Sequence, residues 1–319
     1  MIRDYVIRSV AAARSPSPSG AGSSARPEPP VPDAVPVGGL RRRFFMAAWY
    51  GLNLLLVVSI LASMYCIVWE YSTRRYLKGF SDAIIPLTAP PDVKIVAILN
   101  WMANGPERNA SNPALPSNDR NPTDTLNYAS LLKVCGTATN AFINLADSSG
   151  LAARRLLLLD SHRSAMHVVA EVFINGKWIV VDPAFRVIPR GADGSFLTSR
   201  QLADPQVFAA ATHGIPGYDP IYEYTSTAHV RLSRMPYVGR TLRRVLSFLL
   251  PGWENSVMLS LLVERKSMAF LVASLVLVVL LAVFRAALLW YGERRMALRS
   301  VRLRTRLQHA FHALLDASA

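Results

Sequence analysis

Two long apolar runs fix the outline of this chain before any other feature is read. Residues 44–69 (FFMAAWYGLNLLLVVSILASMYCIVW) carry no charge, and residues 267–284 (SMAFLVASLVLVVLLAVF) are equally free of it, with Arg285 directly after. About 20 apolar residues in a helix cross a bilayer, so both runs are long enough. A cleaved secretory signal is the alternative for the first, but such a signal has a shorter apolar region close to the N-terminus. The run at 44–69 is longer and follows a long polar tail, so the sequence predicts an uncleaved anchor. Trp49, Trp290 and Tyr291 stand where an aromatic belt is expected, and Arg285 is near enough to one end to snorkel to headgroups.

The basic residues set the orientation. Arg41, Arg42 and Arg43 precede the first run, and Arg294, Arg295, Arg299, Arg302, Arg304 and Arg306 follow the second. By the positive-inside rule both termini are expected in the cytoplasm and residues 70–267 on the far side, although Arg74, Arg75, Lys78, Arg265 and Lys266 sit on the opposite flanks. Membrane-flanking arginines also account for much of the net charge of +14. No zinc-finger spacing and no aromatic-basic motif accompanies them, so the bilayer and not nucleic acid is the expected partner.

The organisation that follows is a Pro/Ser-rich tail over 1–40, a transmembrane helix over 44–69, a folded domain over 70–239 with its core at 91–200, amphipathic and juxtamembrane helices over 240–266, a second transmembrane helix over 267–290, and a basic cytoplasmic tail over 291–319. The first tail cannot bury enough apolar surface to offset its ordering entropy and is expected to be disordered. In RTLRRVLSFLL (240–250), Leu242, Val245, Leu246, Leu249 and Leu250 recur at helical spacing opposite Arg240, Arg243 and Arg244. Two readings are open: a helix lying in the membrane interface, or one covering the domain's own core.

Within the domain, PDVKIVAILNWM (91–102) predicts a buried helix through Val93, Val96, Ile98, Leu99 and Met102. Residues 103–125 read as a polar loop, and 154–159 as a strand. HVVAEVFI-NG-KWIVVD is a hairpin, since Asn-Gly between β-formers matches a two-residue turn. SFLTSRQLADPQVFAAAT (195–212) reads as one Ser/Thr-capped helix.

The chain has two cysteines, and Cys66 lies inside the first apolar run, so a disulfide framework is not expected. Cys135 starts CGTATNAFINLADSSG, where Ala138, Ala141, Phe142, Leu145 and Ala146 form one apolar helix face ending at Gly150. A thiol at a helix start is favoured as thiolate by the dipole and the unpaired amides, which can also hold an oxyanion. Taken alone, such a cysteine is more often a small buried structural residue. The hairpin adds to it. With Asn175-Gly176 as the turn, Ile174 faces Lys177, His167 faces Ala184, and Asp182 shares a sheet face with His167 at diagonal distance, within reach of a His–carboxylate bond. Phe173 faces Trp178 on that face. His162, in DSHRS, reads as loop.

These residues, VCGTATNAFINLADSSGLAARRLLLL followed by HVVAEVFINGKWIVVDPAF, resemble the transglutaminase-like core, papain-like in layout. The matching positions are Cys135 at the helix start, the Gly-Leu-Ala-Ala-Arg segment ending at Arg154, His167 opening a strand, and Trp178 with Asp182-Pro183. The resemblance implies an α+β fold in which a Cys-bearing helix packs on an antiparallel sheet. It implies Cys135 as nucleophile, His167 as general base and Asp182 as the carboxylate that orients it. It departs from the family at Lys133, at Val168 and Val169, and in having no Trp or Gln just before the cysteine as a second oxyanion donor; Asn127 and Tyr128 are the groups near that place.

The expected function is thiol acyl chemistry on an amide of an envelope peptide or protein, ending in hydrolysis or in transfer to an amine. The rival is a non-catalytic binding module in an envelope or exopolysaccharide assembly complex. No carboxylate cluster has calcium-site spacing and no phosphate loop is present, so neither a metal nor a cofactor is expected. The orientation is tested by reporter fusions at Gly191 and Ala319: an exported reporter active only outside the cytoplasm should work at Gly191 and be silent at Ala319, and the reverse pattern overturns the assignment.

Overall fold

The first helix does not stop where the apolar run stops. In the computed structural model, which describes residues 39–104, 121–127, 131, 134–230 and 239–296, helix α1 runs unbroken over Gly39–Ile84. The tail before residue 39, residues 105–120 of the stretch expected as a loop, and the basic tail after 296 lie outside the described residues. Between 69 and 84 there is no proline; the stop is Pro86, which lacks an N–H and disfavours helical backbone in the residue before it. Thr73, Leu77 and Ser81 on these extra turns are buried, and Leu77 joins the domain core with Ile95, Ile98, Met102 and Phe142. One helix therefore carries both the first apolar run and part of the core.

Helix α2 (Pro91–Ala103) starts with proline at its first position, where the missing N–H costs nothing. Its buried stripe is Ile95, Ile98, Leu99 and Met102, while Val93 and Val96, expected on that face, are 43% and 38% exposed. The spacing i, i+3, i+4, i+7 starts from Ile95 and leaves them on the flank. Pro122–Thr125 forms a single turn, α3, inside the stretch expected as loop.

Helix α4 (Cys135–Ser148) buries Ala138, Ala141, Phe142, Leu145 and Ala146. It ends as the sequence predicts. Gly150 takes φ +84°, its N–H bonds to Asp147 O at 3.0 Å, and Leu151 N–H bonds to Ala146 O at 2.9 Å, which is a Schellman closure.

The sheet holds β1 (Ala153–Leu159), β2 (Ala165–Ile174), β3 (Lys177–Val181) and β4 (Thr227–Ala228), all antiparallel, in the order β3-β2-β1-β4. Asn175 and Gly176 both have positive φ (49° and 79°), the type I′ geometry that follows the strands' twist. Ile174 pairs with Lys177 and Phe173 with Trp178, as the turn requires. On one face α4 packs against Ala153, Ala170 and Val172. On the other, Leu156, Leu158, Val169 and Val180 meet Leu202, Phe208 and Tyr224. The fold is α+β. The stretch 195–212 is two helices and not one: α5 (Ser199–Leu202), capped by Thr198 and Gln201, and α6 (Pro205–Thr212), capped by Asp204. Pro205 cannot continue a helix but suits the start of one, and Asp204 supplies the cap.

The chain then runs through α7 (Gly239–Leu249), a 3-10 turn (Trp253–Asn255), α8 (Val257–Glu264) and α9 (Lys266–Arg295). Helices α1 and α9 are each long and apolar enough to cross a membrane. Residues 39–44 and 292–296 are their first and last turns. Between Trp49 and Tyr291 the two helices meet antiparallel at two polar points. At one, Arg265 bonds Glu70 at 3.2 Å and Ser267 Oγ donates to Glu70 at 2.6 Å; at the other, Arg285 Nε donates to Asn53 Oδ1 at 2.9 Å and lies over Trp49. Trp49 is thus buried under Arg285 rather than turned outward as an aromatic belt would have it, whereas Trp290 and Tyr291 are exposed. At 1.5 Å per residue, Asn53 and Glu70 lie about 26 Å apart along α1, close to the thickness of a hydrocarbon core. The turns between them expose Leu54, Leu55, Val57, Val58 and Leu61.

Arg265 is the most enclosed cation described. Its side chain is 1% exposed, and besides Glu70 it donates to Asn144 Oδ1 at 3.0 Å and Asp147 Oδ2 at 2.9 Å. Its neighbour Glu264 accepts from Arg155 Nη1 at 2.5 Å and Asn140 Nδ2 at 2.9 Å. Removing one partner of a buried pair leaves an uncompensated charge and costs about 3–5 kcal/mol. Arg265→Ala is expected to lower the unfolding midpoint of the detergent-solubilised protein strongly. Lys78→Ala, which removes the exposed Lys78–Asp82 pair, should cost under about 1 kcal/mol. Equal effects would show that the buried network carries no special weight.

Candidate active site

The amino end of α4 places Cys135. The residue before it, Val134, is extended and has no side-chain oxygen, so no side-chain cap forms over the first turn. Thr137 instead turns its hydroxyl back, donating to Val134 O at 2.9 Å and accepting from Val134 N–H at 3.3 Å. Cys135 itself is half-buried, against the cluster of Leu157, Leu159 and Val168 at the rim of the sheet. Thr139, one turn on, ties α4 to β2 by donating to Val168 O at 2.9 Å.

His167 comes from β2 where the sheet is irregular. Leu158 pairs with His167 but Leu159 pairs with Ala165, so Met166 is an extra residue in the strand, a bulge immediately before His167. Bulges raise local twist and re-aim the neighbouring side chain. On the other side of β2 the ladder with β3 ends at Ala170–Val181, short of the expected His167–Ala184 pair. The chain leaves at Asp182, whose backbone bridges Val187 instead, across a four-residue loop in which Arg186 takes φ +60°. Pro183 has no N–H for the ladder. This early departure leaves β2 without a β3 partner beside His167, and Asp182 occupies that space.

Asp182 is held from two sides. Oδ1 accepts from Ala184 N–H at 3.0 Å and Phe185 N–H at 3.3 Å, and Oδ2 meets His167 Nε2 at 2.7 Å. Both side chains are fully buried. With Nε2 taken by Asp182, the ring's Nδ1 is the nitrogen left for Cys135, whose thiol also acts on the imidazole. Burial works against the charged ring, but the hydrogen bond to Asp182, the interaction with Cys135 and the attraction of both anions outweigh it, raising the His167 pKa from 6.5 to about 9. The structure thus brings the three sequence-designated residues together. His162 is exposed in the β1–β2 turn and takes no part, Asn127 lies in the turn after α3, and Tyr128 lies outside the described residues.

Two groups of residues at this site had no signal in spacing. The first is aromatic. Tyr222 stacks on His167 with centroids 4.3 Å apart and planes 11° off parallel, and Phe185 and Tyr218 meet the ring edge-on. All but Phe185 come from GYDPIYEYTS (217–226), a stretch whose Tyr content was the one available hint. Burial first, then Tyr224 and Asp182, push the Tyr218 phenol above its ordinary range, so it stays protonated. Behind Tyr218 a cavity of about 450 Å³ is lined by Phe208, Ile215 and Tyr224; Cys135 is not on its wall.

The second group surrounds Glu171, four residues along β2 from His167. It pairs with Arg154 at 2.7 Å, accepts from Ser199 Oγ at 2.7 Å, and meets His229 Nε2 at 2.8 Å. Burial opposes its charge, but His229, Ser199 and Arg154 together hold its carboxyl below the usual range. Arg154 also lies over Trp178 at 3.9 Å and donates to Asn255 O at 3.0 Å. The Arg and Trp of the recognised motifs therefore join β1, β2 and β3 and do not touch Cys135.

A half-buried thiol at a helix start, an enclosed imidazole with its proton affinity raised, and a carboxylate fixed by two amides can support nucleophilic attack on a carbonyl. Residues 79–183 match the family model described as the Transglutaminase-like superfamily. No curated protein and no solved structure matches the chain. The match begins in the last turns of α1 and ends directly after Asp182, taking in Cys135 and His167, so over this segment the chain is similar to the transglutaminase-like superfamily.

Proposed function

We propose that the domain carries out thiol-dependent acyl transfer on amide bonds of a peptide or protein in the cell envelope, at the outer face of a membrane crossed twice by the chain. The observation that carries the reading is the ring of His167 held by Asp182 with Cys135 close enough to act on it, its pKa raised to about 9. At rest the Cys135 proton already sits on His167 Nδ1, and in the first step the thiolate sulfur bonds to the substrate carbonyl carbon. The developing oxyanion is favoured by the first-turn amides of α4. As the C–N bond breaks, His167 returns its proton to the leaving amine and a thioester remains on Cys135. Water or a second amine then attacks with His167 as base; we favour water, which releases a carboxylic acid and restores the resting pair. Tyr222 and Phe185 keep solvent off the imidazole, and Asp182 holds its tautomer and favours its charged form.

Support for the membrane reading is the apolar band about 26 Å tall on α1, closed by the Glu70 and Asn53 contacts, together with the arginines outside both runs.

The test is alkylation. An ordinary thiol has a pKa near 8.5 and reacts slowly at pH 6, whereas one paired with imidazolium is already thiolate there. Cys135 is expected to react with iodoacetamide at pH 6 at least about tenfold faster than free cysteine, the range that thiolate fractions at these pKa values allow. His167→Ala should abolish the advantage, Asp182→Ala should reduce it less, and His162→Ala should leave it unchanged. A rate equal to that of free cysteine, insensitive to His167→Ala, would sink the catalytic reading and leave the binding module.

A stability test follows from the same ring. The His167 pKa is higher folded than unfolded, so its charge stabilises the fold fully below about pH 6.5 and the contribution fades as pH rises through about 9. The wild-type unfolding midpoint should fall over that window more steeply than that of His167→Gln. Identical slopes would mean that the ring carries no extra proton.

A further inference from the structure

Helix α7 is attached along one side. Arg243 pairs with Glu254 at 3.0 Å, and Trp253 Nε1, on a buried indole, donates to Ser247 Oγ at 3.1 Å. At 100° per residue, positions 243 and 247 share one side of the helix, while 242, 245, 246 and 249 form an apolar arc roughly opposite. Val245, on that arc, therefore faces away from the turn that holds the helix. Of the arc's described side chains, Val245 is 46% exposed and Leu246 half-buried; beside Val245, Phe248 is 85% exposed, and Leu250, just past the helix, 57%. A helix covering the domain's core would bury such side chains, so the exposure of Val245 and Phe248 favours the interfacial reading of the two open in the sequence.

We propose that this face of α7 rests in the anionic lipid surface of the leaflet next to the start of α9. Three features choose this occupant. The segment 239–250 carries Arg240, Arg243 and Arg244 and no acidic residue, so its charge suits lipid phosphates and repels a second copy of itself. Arg244 is exposed at the flank of the arc beside Phe248, where a long side chain bends to headgroups while the ring enters the acyl boundary. Finally, the chain passes directly from α7 through one turn and α8 into α9, at the end where Glu70 meets Arg265 and Ser267.

The inference rests on α9 spanning the bilayer, and its test separates the two. Val245→Cys, Arg243→Cys and Leu277→Cys are made singly in full-length protein carrying Cys66→Ser and Cys135→Ser. Each is spin-labelled and reconstituted in phosphatidylcholine vesicles with and without phosphatidylglycerol. Collision with dissolved oxygen reports lipid, and collision with an aqueous nickel chelate reports water. The label at 277, an exposed position on α9, should be oxygen-accessible and chelate-protected; failure there removes the spanning reading and the proposal with it. With 277 in lipid, the oxygen-to-nickel ratio at 245 should exceed that at 243 several-fold, and the gap should widen when phosphatidylglycerol is added. Equal chelate access at 245 and 243 overturns the proposal, as does dipolar coupling between labels at 245, which would mean a protein surface in place of lipid.

Discussion

A guanidinium enclosed among three helices sets the arrangement on which everything else depends. Arg265 has its donors on Glu70 of α1 and on Asn144 and Asp147 of α4, while Glu264 beside it receives Arg155 from β1 and Asn140 from α4. Ion pairs with little or no exposure add small net stability, because desolvation offsets much of their attraction. What they do is exclude alternatives: any packing that separates these groups leaves a bare charge inside. The junction of α8 and α9, the first long helix and the cysteine-bearing helix are thereby held in one relation, and Cys135 starts a helix whose far turns are fixed by charge.

The second constraint lies in the backbone of the hairpin. A regular pair of strands would carry β3 past His167 and fill the space beside it. The chain leaves at Asp182 instead, because Pro183 cannot pair and the Asp182 carboxylate takes the Ala184 and Phe185 amides for itself. On the opposite edge Met166 bulges out of β2. The two irregularities act from either side of one imidazole. The regular part of the sheet gives rigidity, and its two local failures give His167 room for Cys135 and Asp182.

Much of this was legible in the sequence where local chemistry decides. Asn175-Gly176 dictated the turn and hence the register through Val181, and the small-residue stripe from Ala138 with Gly150 behind it dictated α4 and its end. The diagonal relation of His167 to Asp182 pointed to their contact, although it was reached through a pairing with Ala184 that does not form. Legibility failed where distant segments decide. Nothing in spacing places Tyr222 over His167 or His229 on Glu171, since those contacts join parts of the chain 55 and 58 residues apart. Pro205 was legible as a breaker but was read within a longer helix. Val93 and Val96 were hydrophobic and near the right phase, yet the stripe began two residues later.

The continuity of α1 has a consequence for how the domain is geared to its apolar run. A flexible juxtamembrane linker tolerates insertions and lets a domain swivel. Here the turns from Trp69 to Leu77 are uninterrupted helix, so the angle between the exposed apolar stripe and the core-facing stripe is written in residue number alone. One inserted residue would rotate Leu77 by about 100° relative to Leu61 and push the domain about 1.5 Å outward. Seven would restore the phase to within roughly 20°. The offset and heading of the domain relative to the apolar run are thus quantised by helical pitch.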